Sequence, residues 1–192
     1  MCRRHYSYTM FPLSRLTLTS RENVLKFLDP FDLFAISLCS KKSYRAVQNV
    51  VRSTSSFYSL DLHITTNYTI GVQFETDTHW FYFSCEVLPL TIPSSPFEFT
   101  PEKLRSYWED CVEGIKYWIE YITELYGKPI EILYLRETNP KNAVEILKFV
   151  NRRQGFIKYG HVNLNDVESE KDRKQVMEQL ESVEDLETDW EA

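Results

Sequence analysis

The chain has 192 residues, of which 43% are hydrophobic and 15% aromatic, enough to build the core of one or two domains. Its formal net charge of −6 is spread unevenly, because residues 1–54 are basic and residues 166–192 are strongly acidic. An acidic chain with an acidic end is a poor binder of nucleic acid, where affinity comes largely from neutralising phosphates, so no nucleic-acid partner is expected.

The cysteine spacing and the hydropathy of the sequence indicate the compartment in which the protein acts. The four cysteines are far apart and form no Cys-x-x-Cys pair, which fits neither a zinc spacing nor a secreted disulfide framework. No run of about 18 apolar residues indicates a membrane span, and the first residues lack the apolar run of a signal peptide. We therefore expect reduced thiols, no membrane partner, and a cytoplasmic and/or nuclear location.

The segment 11–50 is apolar for its length, since 19 of its 40 residues are hydrophobic. A segment of about 40 residues seldom covers that much apolar area alone without a staple or a partner. Because no disulfide framework is present, the surface of a partner protein is the expected cover.

Local signals divide this segment into an extended apolar arm, which ends at Leu18, and three short helices. A capping box formed by Thr19 and Glu22 predicts the start of the first helix, which runs to about Leu28. The next two helices are predicted to begin at residues suited to the N-terminal cap and first turn, namely Asp29 with Pro30, and Ser40.

The order and spacing of these residues resemble an F-box. The resemblance covers about 40 positions: Leu-x-x-Leu-x-Leu ending at Leu18, then Val24-Leu25, then the run 28–33 and the run 38–42. More narrowly, the segment resembles the F-boxes of expanded nematode families that carry an F-box-associated domain behind them. One departure is Thr17, where F-boxes usually have proline after the leucine, and it bears on the rigidity of the arm. The other interpretation is an ordinary three-helix subdomain packed on the rest of the chain.

We place the F-box at residues 8–52. The resemblance implies a function for this segment. F-box proteins bind a Skp-type adaptor and, through it, a cullin–RING ubiquitin ligase, to which they present a target. This protein is thus expected to be a substrate-recognition subunit with an unknown target protein; a non-degradative scaffold or decoy is the alternative. The predicted adaptor-binding residues are Pro12, Leu13, Leu16, Leu18, Val24, Leu25, Leu28, Pro30, Phe31, Leu33 and Leu38.

Behind the segment, the pattern changes to strands. Residues 58–64, 68–74 and 79–88 are rich in aromatic and β-branched residues, and the first two alternate apolar and other side chains, which predicts a small antiparallel meander. Residues 89–101 contain repeated prolines and predict a linker. A long helix is predicted from Thr100-Pro101 to Tyr126, where Gly127 provides a stop.

The remaining elements alternate between strand and helix. A strand over 130–135 is followed by a helix capped by Asn139-Pro140 and a strand over 156–164, a faint repeat of about 29 residues that predicts a parallel pair. The sequence thus predicts an α+β fold, with a leucine-rich-repeat-like arrangement left open. Residues 57–165 resemble part of an F-box-associated, substrate-facing domain. For residues 166–192 we expect an amphipathic helix capped by Ser169 and a frayed acidic end.

No pattern indicates catalysis. The four histidines are scattered, and five glycines leave little material for a phosphate loop. The carboxylates of Glu109, Asp110 and Glu113 are typical of a solvated helix face, and the aromatic run 80–83 indicates strand packing more readily than a binding platform. We therefore predict no enzyme activity, no catalytic residue, no metal site and no cofactor.

Overall fold

The computed structural model describes residues 15–54, 58–74, 80–89, 97–100 and 103–189. The chain divides between Val50 and Val51 into two compact units. Helices precede a region in which strands and helices alternate, so the predicted α+β class is confirmed.

The first unit contains helices α1 (Leu18–Leu25), α2 (Pro30–Leu38) and the larger part of α3 (Lys41–Ser53). Two of the predicted caps are confirmed: Asp29 Oδ1 accepts the Asp32 N–H at 2.8 Å, and Ser40 Oγ accepts the Ser43 N–H at 3.0 Å. Each cap satisfies a backbone donor that has no partner inside its helix. Apolar side chains from the three helices, including Leu25, Phe34 and Val47, are buried.

The predicted capping box is wrong, because the helix begins earlier than the sequence suggested. The N-cap of α1 is Thr17, whose hydroxyl accepts the Ser20 N–H at 3.3 Å, and Leu18 is already helical and not part of an extended arm. Threonine at this position supplies the capping acceptor that a proline could not.

The second unit is built on one eight-stranded sheet with the order β4-β5-β3-β2-β1-β6-β7-β8. The predicted meander is confirmed, since β1 (Tyr58–Ile64), β2 (Tyr68–Phe74) and β3 (Trp80–Val87) pair antiparallel in sequence. On the other side of β1, β6 (Ile132–Leu135) and β7 (Ile157–Val162) run parallel to it and to each other. The predicted parallel pair is thus confirmed.

Within the described residues, three helices connect these strands: α4 (Cys111–Tyr126), α5 (Pro140–Arg153) and α6 (Glu170–Gln179). The predicted ends at Asn139, Ser169 and Gly127 are confirmed; Gly127 has a φ of 65°, a conformation that glycine adopts without steric cost. Helix α4 packs against β2, β3 and β5 and buries one full side, including Ile115, Trp118 and Ile122.

The long helix predicted from Thr100 is wrong in its first part. Residues Lys103–Trp108 form β5, which lies parallel to β3, and Phe97–Phe99, predicted as linker, form β4 antiparallel to β5. Thr100 closes the turn between them, because its hydroxyl accepts the Lys103 N–H at 3.1 Å. The helix begins only after Asp110, whose Oδ1 accepts the Val112 N–H at 2.8 Å.

The acidic end also differs from expectation. Residues Val183–Thr188 are not frayed but form β8, parallel to β7, so the helix–strand unit occurs once more as α6–β8. The register pairs Ile132 with Tyr159 and Tyr159 with Asp185, giving offsets of 27 and 26 residues instead of about 29.

Candidate functional site

The predicted adaptor-binding residues fall into three groups. Pro12 and Leu13 lie outside the described residues, and the side chains of Leu18 and Pro30 are not described. Leu25 and Leu33 are buried, with 1% and 2% exposure, and therefore hold the helices together. The remaining five are half-buried and keep surface that a partner could cover: Leu16, Val24, Leu28, Phe31 and Leu38. Adaptor contact by any of them stays a prediction.

Sequence reasoning missed the apolar side chain that is most exposed among the described residues of this unit. Phe27 lies in the turn after α1 and is 90% exposed. Its backbone N–H donates to Val24 O at 3.1 Å and that of Leu28 donates to Leu25 O at 3.2 Å, so the turn that presents the ring is held by backbone hydrogen bonds. The available signal was an aromatic residue off the helical face that Val24, Leu25 and Leu28 define.

A small basic pocket of about 90 Å³ lies in the same unit. Arg21 and Lys42 line it with apolar Leu25 and Ile36. The Arg21 guanidinium also donates to Leu16 O at 3.2 Å, which ties the start of α1 to the residue before its cap.

In the second unit, one residue from every strand forms a single row across the sheet. In strand order the row is Glu98, Arg105, Ser84, Thr69, His63, Tyr134, His161 and Glu187. Side chains alternate between the two faces of a sheet, so this polar row lies on the face opposite the apolar side chains of the next row. That next row contains Phe83, whose ring centroid is 6.3 Å from that of Trp118 in α4.

Three rings of the polar row stack on one another. The ring centroids of His63 and Tyr134 are 4.6 Å apart with an interplanar angle of 17°, and those of Tyr134 and His161 are 5.0 Å apart with an angle of 9°. His161 Nδ1 lies 2.8 Å from Glu187 Oε2 at the end of the stack. Two of the four histidines that looked scattered in the sequence, His63 and His161, are thus brought together by strand register.

Two titratable groups of β1 lie on this face, of which Asp61 is buried and His63 is half-buried. Asp61 is fully buried, and its Oδ1 accepts the Ser59 hydroxyl at 3.2 Å, whereas Oδ2 has no partner among the described residues. Burial raises the pKa of Asp61 to about 7, and Glu131 adds to the shift. Burial lowers the pKa of His63 to about 4, and the charge of Arg136 lowers it further.

A pocket of about 260 Å³ lies beside the ring stack, and His63, Tyr134 and His161 all line it. It lies where β1, β6 and β7 end, and its walls include Arg136, Asn163 and Asp189. In open sheets with parallel strands, ligands usually bind at the carboxyl ends of the strands. This pocket is the binding site that the geometry of the second unit favours.

Two carboxylates of the predicted solvated helix face, those of Asp110 and Glu113, have structural roles. Asp110 caps α4, and Glu113 pairs with Lys116 at 2.7 Å. Within the aromatic run, Phe83 is buried. Burial raises the pKa of the Cys85 thiol to about 12, so it is no nucleophile at neutral pH.

Among the described residues, no group of three or more His, Cys, Asp or Glu side chains is arranged to hold a metal ion. No helix in this part of the protein has the length and apolar character needed to cross a membrane.

Comparison with known proteins supports the assignment of the first unit. Residues 13–53 match the model of the F-box domain. An uncharacterized protein of Caenorhabditis elegans is 34% identical over 73 residues, which is 38% of this sequence and 17% of that protein, so the match covers only a small part of this relative. No solved structure matches. The protein therefore contains an F-box domain at residues 13–53.

Proposed function

We propose that the protein is the target-recognition subunit of a Skp–cullin–F-box ubiquitin ligase. An F-box domain implies binding of a Skp-type adaptor and, through it, of a cullin–RING ligase. The second unit would then hold the target, and the protein itself would catalyse nothing: its contribution is to raise the effective concentration of target lysines near the charged ubiquitin carrier. We place this activity in the cytoplasm and/or nucleus.

The observation that carries the proposal is the exposed ring of Phe27 within the F-box domain. Phe27 is 90% exposed, and burying its side chain in an interface contributes roughly 1.5–3 kcal/mol of binding free energy. A few central aromatic anchors usually dominate the affinity of an interface. The half-buried Val24, Leu28 and Phe31 are near it in sequence and add apolar surface. The basic residues 1–54 favour encounter with an acidic partner.

The test compares recovery of a Skp-type adaptor by the wild-type protein and by Phe27→Glu. Because Phe27 is exposed, the variant should fold, and we expect recovery of the adaptor to fall at least about tenfold, as loss of an anchor worth about 1.4 kcal/mol or more requires. The matched control is Asn49→Glu, which adds the same charge at an exposed position of α3 outside the predicted contact set. Equal recovery by wild type and Phe27→Glu would contradict the proposal.

The same variant, Phe27→Glu, also tests whether the protein binds a target. Mass spectrometry of proteins recovered with Phe27→Glu should show the adaptor depleted and a target retained, because the two sites belong to different units. If depletion of the protein from cells stabilises no other protein although the adaptor is bound, the non-degradative scaffold replaces the ligase subunit as the function.

A further inference from the structure

The pocket at the carboxyl ends of β1, β6 and β7 contains an arginine without a described partner. Arg136 follows β6 directly, and its backbone N–H donates to Ile64 O at 3.1 Å, which fixes its position at the end of β1. Its side chain is exposed and takes part in no ion pair or hydrogen bond with the residues that the structure describes. Five N–H donors and a full positive charge are thus available to a ligand.

The backbone next to Arg136 is held in an unusual conformation. Glu137 has a φ of 48°, in the left-handed region that non-glycine residues seldom adopt. Such a conformation persists where the surrounding structure imposes it, and it occurs often at binding sites. Here it turns the backbone from β6 towards Asn139, the cap of α5, and so leaves Arg136 at the pocket.

Two further groups supply hydrogen-bonding capacity. Asn163 Oδ1 accepts the Asn165 N–H at 3.0 Å, which orients the amide and leaves its NH₂ without a described partner. His63 Nε2 is buried and also has no described partner. The lowered pKa of His63, about 4, keeps its ring neutral at pH 7, so His63 adds no positive charge to that of Arg136.

The acidic groups around the pocket limit what it can bind. Asp189 lines the wall, and Glu187 lies against His161, so a dianion such as a phosphate monoester would meet repulsion that one arginine does not offset. A single carboxylate fits Arg136 and Asn163, and Asp189 then accepts from a neighbouring N–H of the same ligand. A peptide provides both a carboxylate and N–H groups.

We propose that this pocket binds a carboxylate of a peptide segment, with the Arg136 guanidinium and the Asn163 amide as donors. The carboxylate comes from an Asp or Glu side chain or from the free carboxyl end of a polypeptide. The inference rests on the proposed function in one respect, namely that the peptide belongs to the target protein.

The experiment is an NMR titration of the full ¹⁵N-labelled protein with three short peptides of neutral, acetylated N-terminus. The first is a Gly-Glu-Gly amide, the second Gly-Gly-Gly with a free C-terminus, and the third a Gly-Gln-Gly amide. We expect at least one carboxylate peptide to shift the signals of the Arg136 Nε–H and the Asn163 side-chain amide in a saturable way, and the glutamine peptide to leave them in place. The arm that saturates first identifies the source of the carboxylate.

Two arginine variants test whether the carboxylate peptide binds in this pocket. Arg136→Gln should weaken binding of the carboxylate peptide about tenfold, the usual loss for one charge-assisted hydrogen bond. The matched control, Arg152→Gln, removes the same charge from the exposed face of α5 and should bind as wild type. No saturable shift with either carboxylate peptide, equal binding of the glutamine peptide, or equal losses in the two variants would overturn the proposal.

Adaptor recovery measured on the same preparations separates this inference from the proposed function. Arg136→Gln should recover the adaptor as well as wild type does, since Arg136 lies in the second unit. Failure of peptide binding with normal adaptor recovery overturns the carboxylate site alone, whereas loss of adaptor binding by the wild-type protein overturns the proposed function.

Discussion

The side-chain oxygen of Ser106 should contribute strongly to the stability of the second unit. The side chain is 1% exposed on β5, and its hydroxyl accepts the indole N–H groups of Trp108 at 2.8 Å and Trp118 at 2.7 Å while donating to Ser84 O at 3.0 Å. A hydroxyl has one donor and two acceptor sites, so every site is in use. Ser106→Ala removes the oxygen and leaves the shape of the core nearly unchanged.

The cost follows from what the missing oxygen leaves behind. Trp118 is completely buried, so water cannot replace the acceptor, and an unsatisfied buried donor costs about 1–3 kcal/mol. Trp108 is half-buried and should lose less, about 1 kcal/mol. We therefore expect Ser106→Ala to lower the free energy of unfolding by about 2–4 kcal/mol.

The assay is urea unfolding followed by tryptophan fluorescence. The four tryptophans of the sequence, at positions 80, 108, 118 and 190, all lie beyond Val50, so the signal reports on the second unit alone. The urea midpoint should fall while the slope of free energy against urea stays the same, because the area exposed on unfolding does not change.

A double-mutant cycle isolates the hydrogen bond to Trp118. Trp118→Phe keeps an aromatic ring but removes the indole N–H, so Ser106→Ala should cost about 1–3 kcal/mol less in that background than in the wild type. Additive effects of the two substitutions, or a loss below about 0.5 kcal/mol for Ser106→Ala alone, would refute the reasoning.

Two more predictions concern packing and pH. Gly114→Ala should lower the free energy of unfolding by about 1–3 kcal/mol, measured by the same urea assay, because the added Cβ would lie 2.6 Å from Trp108 Cγ and the overpacking exceeds the gain in helix propensity. Gly155→Ala is its control, since nothing lies within 4 Å of the added atom, and an equal loss in both variants would contradict the steric argument. Asp61→Asn replaces the buried carboxyl, whose pKa is raised to about 7, with an amide that does not titrate. The fold favours the protonated carboxyl, so this stabilisation is complete below about pH 4 and is lost as the pH rises through 7. Between about pH 5 and 8 the wild type should therefore lose stability relative to Asp61→Asn, and parallel pH profiles would contradict this.

Local chemistry predicted several element boundaries correctly. Asp29, Ser40 and Asn139 cap helices because an oxygen on a short side chain reaches the free N–H groups of the first turn wherever the backbone enters a helix. Gly127 ends α4 because a left-handed residue costs glycine little. These signals act over three or four residues and do not depend on the rest of the fold.

The same kind of signal failed where two periodicities overlapped. Leu104 and Trp108 are four residues apart and fit the helical spacing of the residues that follow, yet they belong to β5. The strand forms because its backbone hydrogen-bonds to β3 and β4, which are separate segments of the sequence. Burial of Leu104 and Ser106 in the core also favours it. No pattern within the segment contains that information.

The amino-acid sequence by itself determined that an F-box domain occupies the first part of the protein and that helices and strands alternate behind it, because caps, turns and apolar spacing are local properties. The tertiary structure decided which side chains meet. His63, Tyr134 and His161 are separated by 71 and 27 positions, and only parallel register stacks them beside Arg136. The exposure of Phe27 depended likewise on how three helices pack, since the sequence marks a side chain as apolar but not as uncovered.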